Sequence, residues 1–253
     1  MLLEIDGLTK HFGGLAAVSR LDMQVNKGEI VGLIGPNGAG KTTVFNLVTG
    51  FLQPTRGKVV FDGKNITGKK PHVIAELGIG RTFQLNPLFA DFTVLKNVVA
   101  SFHLRPKSSL LATYFNTATY RRNEAYILEQ SREILQLVGL DTVSDELAKN
   151  LPHGYQKMLG MARALAIKPR LLLLDEPLAG MNPDEIDFSM AAIKKTRQQG
   201  MTIVLVEHNM QIMDLCDRVV VINFGHKIAE GLPGEVRRNE EVIRAYFGGE
   251  YVA

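Results

Sequence analysis

Gly35-Pro36-Asn37-Gly38-Ala39-Gly40-Lys41-Thr42 follows the pattern G-x-x-x-x-G-K-[ST], between an apolar run, Glu29 to Ile34, and a helical pattern beginning after Gly40. That context calls for a strand, a phosphate-cradling loop and a helix. The glycines let backbone N–H groups curl around phosphate oxygens, and the helix start adds partial positive charge. Lys41 is placed to reach the β- and γ-phosphates of a nucleotide, and the Thr42 hydroxyl to hold Mg²⁺. The bland alternative is a tight strand–helix turn with an exposed lysine, and the flanking patterns disfavour it.

A second half of such a site stands far downstream. Leu171 to Leu174 is fully apolar and runs into Asp175 and Glu176. An acid at the tip of a core strand suits a Mg²⁺-binding carboxylate, a role that falls to Asp175. Glu176 is then placed to orient or deprotonate an attacking water. Between Lys41 and Asp175 lie 134 positions (175 − 41). A small regulatory GTPase does not place so much chain between these two strands, so a large insertion is expected.

The pattern around the two motifs supports this. Leu2 to Ile5 and Ala16 to Val25 alternate loosely around a Gly13-Gly14 turn, Val59 to Phe61 ends in the hairpin signal Asp62-Gly63, and Ile79 to Phe83 is a short strand-like run. From about Asn86 to Ile167 the character is helical, with apolar residues at helical spacing from Tyr120 to Val138 and a stop at Gly139. Residues 154–167 also read as helix. Leu171 to Leu174, Met201 to Val206 and Arg218 to Ile222 suit strands buried on both faces of a parallel sheet, with a helix from Pro183 to Gln199 between the first two. The expected fold is α/β: a P-loop NTPase core over residues 1–253, with an N-terminal antiparallel β region and a helical subdomain inserted at 86–167. A chain of 253 residues, 45% hydrophobic and 22% charged, fits one such domain with an insertion. A net charge of +3 is too small to argue for nucleic acid. One cysteine, Cys216, excludes an internal disulfide, and no run of 18 apolar residues exists to span a membrane. The first residues, MLLEIDGLTKHFGG, meet Asp and Lys too early for a signal peptide.

These residues together resemble the ATP-binding cassette (ABC) ATPases over essentially the whole chain. The resemblance rests on the order of GPNGAGKTT (Gly35 to Thr43), RTFQ with Gln84, LPHGYQ from Leu151 to Gln156, LLLLDEP, AGMN with Asn182, and VLVEHNM with His208. Within that family FGGLAAVSRLDM, GIGRTFQLNPLF, DEPLAGMNP, the insertion between Arg105 and Glu124 and EEVIRAYFGGE are similar to the ATPases of branched-chain amino acid importers. Related cassettes handle urea, amides or lipid export, and a soluble cassette ATPase without a transport role is the rival class. The resemblance implies ATP and Mg²⁺ as cofactors. It implies a peripheral site on the cytoplasmic membrane face and docking on separate permease subunits that a solute-binding protein supplies. It further implies a head-to-tail pair with a second cassette, identical or homologous.

By residue, the resemblance puts Phe12 under the adenine, Gln84 on Mg²⁺ or water, and His208 on the γ-phosphate. It puts Asn182 in the segment after the acid pair, and Gly154 at the helix start that covers the partner's nucleotide. Three departures stand out: the family's signature serine is Pro152 here, and its first Gly and its Gln positions hold His153 and Tyr155. Weaker nucleotide-driven pairing is the expected result. Other features are left as structure. Tyr114, Phe115, Tyr120, Arg121, Arg122 and Tyr126 interleave aromatic and basic residues, but a solvated helical hairpin explains them better than nucleic acid. Cys216, Met158, Met161, Met210 and Met213 are read as core.

Overall fold

The computed structural model describes residues 1–84, 87–102, 117–208 and 210–247. Expectations that fall on Leu85, Asn86, Arg105 to Phe115, Asn209, the side chain of Met210 and Gly248 to Glu250 lie outside the described residues. The chain forms two compact units: Met1–Arg81 with Arg170–Ala179 and Arg197–Ala253, and Thr82–Pro169 with Gly180–Thr196.

The first unit holds two sheets. In the antiparallel one, β1 (Leu3–Phe12) lies between β2 (Leu15–Val25) and β4 (Arg56–Phe61), and β5 (Lys64–Asn65) completes the order β2-β1-β4-β5. Gly13-Gly14 makes the first turn. Asp62 and Gly63, at φ 47° and 75°, make the tight β4–β5 turn that the Asp-Gly pair signals. The second sheet has the order β10-β9-β3-β8-β7-β6, built from β3 (Ile30–Ile34), β6 (Ile79–Arg81), β7 (Leu171–Asp175), β8 (Thr202–Glu207), β9 (Arg218–Asn223) and β10 (His226–Gly231). Only the β9–β10 pair is antiparallel. Every residue of β3, β7 and β8 is buried, as unbroken Leu, Ile and Val runs require when both faces are covered. The run expected to reach Phe83 stops at Arg81, because β6 is an edge strand that pairs only with Leu171 to Leu173.

One hydrophobic core joins the sheets. Leu3, Leu21 and Phe61 from the antiparallel sheet pack in the same cluster as Leu33, Leu173 and Val206 from the parallel one, and α1 (Lys41–Val48) enters it through Val44, Phe45 and Val48. Cys216 is buried behind β3, after a 3₁₀ turn rather than within an α-helix, and burial pushes its thiol up to about 12. It is not a nucleophile at neutral pH.

The second unit is helical: α3 (Val94–Phe102), α4 (Ala118–Val138), α5 (His153–Ala166) and most of α6 (Pro183–Gln198), while α2 (Pro71–Glu76) belongs to the first unit. The α4 boundaries follow local chemistry. The Thr117 hydroxyl accepts the Tyr120 N–H at 3.3 Å, and Gly139 stops the helix at φ 76°. Met158 and Met161 face inward from α5. Where the sequence alone suggests one insertion, this unit also takes in Gly180–Thr196. The cause is local: the start of α6 is hydrogen-bonded and ring-stacked to the start of α5.

Phe45 is 1% exposed and sits one turn after the phosphate loop. Phe45→Ala should lower unfolding free energy by about 3–5 kcal/mol. The check is a urea titration, read as a lower midpoint at unchanged slope.

Candidate functional site

The phosphate loop is fixed by two close backbone approaches. A Cβ on Gly35 would lie 2.1 Å from the Ile222 carbonyl, and one on Gly40, at φ 104°, would lie 2.3 Å from the Ala17 carbonyl. Neither site admits a side chain. From behind, the turn between β9 and β10 braces the loop: Gly225 N–H donates to the Ala39 carbonyl at 2.9 Å, and Ser19 N–H to the Gly225 carbonyl at 2.8 Å. No acidic residue stands in the first turn of α1, so its N–H groups and dipole keep their positive character. A pocket of about 250 Å³ opens over the loop, lined by Asn37 to Thr43, Leu15 to Ala17, Glu176, Phe224 and Gly225.

Lys41 is buried, and its ammonium donates to the Gly35 carbonyl at 2.6 Å and the Pro36 carbonyl at 2.9 Å. Burial holds the Lys41 amine below the ordinary lysine range, and Glu176, Glu207 and Asp175 pull it back up. The same four groups therefore share one electrostatic neighbourhood. Glu176 follows β7 at φ 47°, a left-handed conformation that costs a non-glycine residue on the order of 1–3 kcal/mol and that clusters at functional sites. Its N–H donates to the Val206 carbonyl at 2.9 Å. His208 Nδ1 lies 3.9 Å from Glu176 Oε1 and 3.8 Å from Glu207 Oε2. The first unit thus brings together Gly35 to Thr43, Asp175, Glu176 and His208. Phe12 ends β1, 46% exposed, with the Lys10 ammonium 5.1 Å from its ring centroid. The pocket wall on that side begins at Leu15.

Three expected residues belong to the second unit. Gln84 is exposed there. Gly154 is buried in the first turn of α5, whose N-cap is Pro152. The Gly154 N–H donates to Glu185 Oε1 at 2.9 Å. Asn182 caps α6. Its Oδ1 accepts the Glu185 N–H at 3.0 Å, and its own N–H donates to Glu185 Oε2 at 3.1 Å. Tyr155, at the family's glutamine position, stacks on Phe188 with ring centroids 4.8 Å apart. Of the departures from the signature, Tyr155 therefore packs α5 against α6, while Pro152 and His153 are exposed.

Several important residues escape the sequence reading. Arg81 pairs with Asp175 at 2.8 Å, both side chains almost wholly buried (6% and 2% exposed), and also donates to Asn46 Oδ1 at 2.7 Å and Thr49 Oγ1 at 2.9 Å. Glu207, fully buried, accepts the Leu178 N–H at 2.8 Å and the His208 N–H at 3.2 Å. Leu15 (67% exposed) and Phe224 (80%) flank the pocket. Glu185 is a further residue that sequence reading missed, and it alone has a readable signal, since Asn182-Pro183-Asp184-Glu185 has the spacing of a capping box.

Comparison with known proteins agrees with this arrangement. The family described as ABC transporter matches residues 18–179, and the one described as Branched-chain amino acid ATP-binding cassette transporter matches residues 226–252. The chain is 43% identical over 249 residues to the high-affinity branched-chain amino acid transport ATP-binding protein BraF of Pseudomonas aeruginosa, covering 98% of each chain. It is 40% identical to LivG, of the same description, from Escherichia coli, again over 98% of each. The lipopolysaccharide export system ATP-binding protein LptB of Haemophilus influenzae is 34% identical, over 99% of this chain and 98% of that one. Among solved structures, a nucleotide-free ATP-binding cassette from an ABC transporter is 32% identical with a TM-score of 0.84, covering 98% of this chain and 99% of that one. The ADP conformation of MJ1267, an ATP-binding cassette of an ABC transporter, is 31% identical with a TM-score of 0.83, over 98% of both.

Removing one partner of the Arg81–Asp175 pair leaves a buried charge uncompensated. Arg81→Met should cost about 3–5 kcal/mol of stability, and Arg81→Met with Asp175→Leu should recover most of it. Chemical denaturation of the two variants decides; equal losses would show the pair to be uncoupled.

Proposed function

The chain belongs to the ABC transporter family of ATP-binding cassettes, and we propose on that premise that it hydrolyses ATP to power uptake of branched-chain amino acids through separate permease subunits. The observation that carries the reaction is the meeting of the phosphate loop, the buried Lys41 ammonium, Glu176 and His208 beside one pocket. The solute class rests on the match over residues 226–252 and on relatives at 40–43% identity, against 34% for the lipopolysaccharide export protein.

In this reading the triphosphate lies along the loop. Backbone N–H groups from Gly38 to Thr43 take its oxygens, and the Lys41 ammonium exchanges the Gly35 and Pro36 carbonyls for β- and γ-phosphate oxygens. Glu176 accepts the proton of the water that attacks the γ-phosphate. His208, beside Glu176, hydrogen-bonds the γ-phosphate and steadies that water. The Thr42 hydroxyl and the Asp175 carboxylate would hold Mg²⁺. So sparse a donor set suits an ion that keeps waters and phosphates as its other ligands, and no group of three His, Cys, Asp or Glu side chains among the described residues forms a protein cage. When bound there, the ion would supply positive charge against that developing on the phosphates. Phe12 carries the adenine, and Gln84 the family's role on Mg²⁺ and in reporting nucleotide state to the permease.

A second cassette, this chain or a homologous one, completes each site with its Gly154 helix start and its Asn182 segment. No helix among the described residues is long and apolar enough to cross a membrane. In this reading the chain works peripherally, on the cytoplasmic face, through permeases that a solute-binding protein supplies.

Glu176→Gln should lower the turnover rate by about 10²–10⁴-fold while ATP binding persists. Lys41→Ala should weaken ATP binding itself. Phosphate release and equilibrium nucleotide binding check both, and wild-type turnover in Glu176→Gln would remove Glu176 as the base. The solute class is tested by reconstituting the chain with its permease in vesicles. Leucine, isoleucine or valine with their binding protein should stimulate ATPase activity, and stimulation by a lipid instead would favour export.

A further inference from the structure

Helix α5 begins without the usual cap. Its N-cap residue is Pro152, which has no side-chain acceptor, and the first intrahelical bond runs from Gln156 N–H to the Pro152 carbonyl at 3.0 Å. The N–H groups of the first turn must find partners elsewhere. Gly154 finds Glu185, the third residue of α6, at 2.9 Å. The two segments lie in direct contact there, since a Cβ on Gly154 would come within 2.9 Å of Glu185 Cβ and 3.1 Å of Cδ. The second carboxylate oxygen holds the Asn182 N–H at 3.1 Å. These two hydrogen bonds keep the Glu185 carboxyl below the ordinary range, the Gly154 bond most strongly. One anion thus ties the signature segment to the segment that follows the acid pair.

We propose that Glu185 is a positioning residue that latches the start of α5: its carboxylate occupies the Gly154 N–H that must meet the terminal phosphate of ATP held by a second copy of the chain, so nucleotide-driven pairing proceeds by release of this hydrogen bond. The inference rests on the covering role given to Gly154 above. Its physical basis is competition. A backbone N–H at a helix start favours an anion, and two anions do not share it. The carboxylate is the resident anion, and its negative charge opposes the incoming phosphate. Release of one oxygen leaves the other on Asn182, so the α6 cap survives the exchange. Until that release, the same carboxylate ties the signature segment to Asn182.

The test uses the full-length chain carrying Glu176→Gln, which keeps ATP uncleaved, with and without Glu185→Gln. Glutamine still accepts a hydrogen bond but carries no charge. The ATP concentration giving half-maximal pairing on sizing chromatography, with magnesium present, should fall about fivefold to tenfold, as expected when a charge-assisted bond becomes a neutral one. In the otherwise wild-type chain, Glu185→Gln should lower the KM for ATP with little change in kcat, a split that a purely structural role would not produce. In Glu185→Ala without nucleotide, amide exchange at Gly154 should quicken about tenfold or more, while the rest of α5 keeps its protection. Pairing at an unchanged or higher ATP concentration in Glu185→Gln would overturn the latch, as would unchanged Gly154 protection in Glu185→Ala. Failure of every variant, the Glu176→Gln parent included, to pair with ATP would overturn the covering role of Gly154, and the latch with it.

Discussion

Parallel pairing of β3 with β8, and of β8 with β7, brings the C-terminal ends of the three strands to one edge of the sheet, with Ile34 opposite Glu207 and Asp175 opposite Val206. The next residues in each chain segment are Gly35, His208 and Glu176. A slip of one residue in either pairing would turn every side chain of that strand to the opposite face and would scatter these groups. The slip is opposed because all three strands are buried on both sides, so any other register must expose or misplace Leu, Ile and Val side chains, each worth about 1.5–3 kcal/mol when fully buried. The chemistry of the site is therefore held by hydrophobic pairing that takes no part in it.

The same edge carries an unusual load of buried charge. Lys41, Asp175 and Glu207 are buried, and Arg81 keeps only a sliver of its side chain in solvent. Each is met by a specific partner: two loop carbonyls for Lys41, a guanidinium for Asp175, and two backbone N–H groups for Glu207. Desolvation makes such groups costly to leave unmet. Their mutual satisfaction restricts the loop, the two acids and the segment after β7 to one arrangement. The strained Glu176 backbone is tolerated within it because its neighbours on both sides are already fixed.

Much of this was readable from sequence, and the division is physical. Gly35 to Thr43 are legible because a loop that wraps phosphate needs residues that no other structure needs in that order. Asp175 and Glu176 are legible because two acids after four leucines have few other uses. Helix α4 was legible from its period and from Gly139 after it. The partners supplied by distant chain were not. Arg81 looks like any arginine at a strand end until β7 is placed beside β6. Glu207 looks like a surface acid until β8 is seen to be central. Glu185 announces its own helix cap, but nothing local shows that its free oxygen reaches Gly154. Tyr155 reads as a lost glutamine, whereas in the fold it is a gained aromatic contact.

The brace that Gly225 places behind Ala39 has a consequence for how the protein comes into being. The central strand β3 is made early in synthesis, yet both its neighbours, β8 and β9, come from beyond position 200. Until those strands emerge from the ribosome, Ile30 to Ile34 has no sheet to join and the phosphate loop has nothing behind it. Topologies dominated by such distant pairings fold slowly and leave apolar strands uncovered in the meantime. The apolar strand β3 therefore stays unpaired until most of the chain has been made, and the phosphate loop gains its brace only when Gly225 has been added. A chain truncated before β9 lacks both a neighbour of β3 and the Gly225 brace behind the phosphate loop.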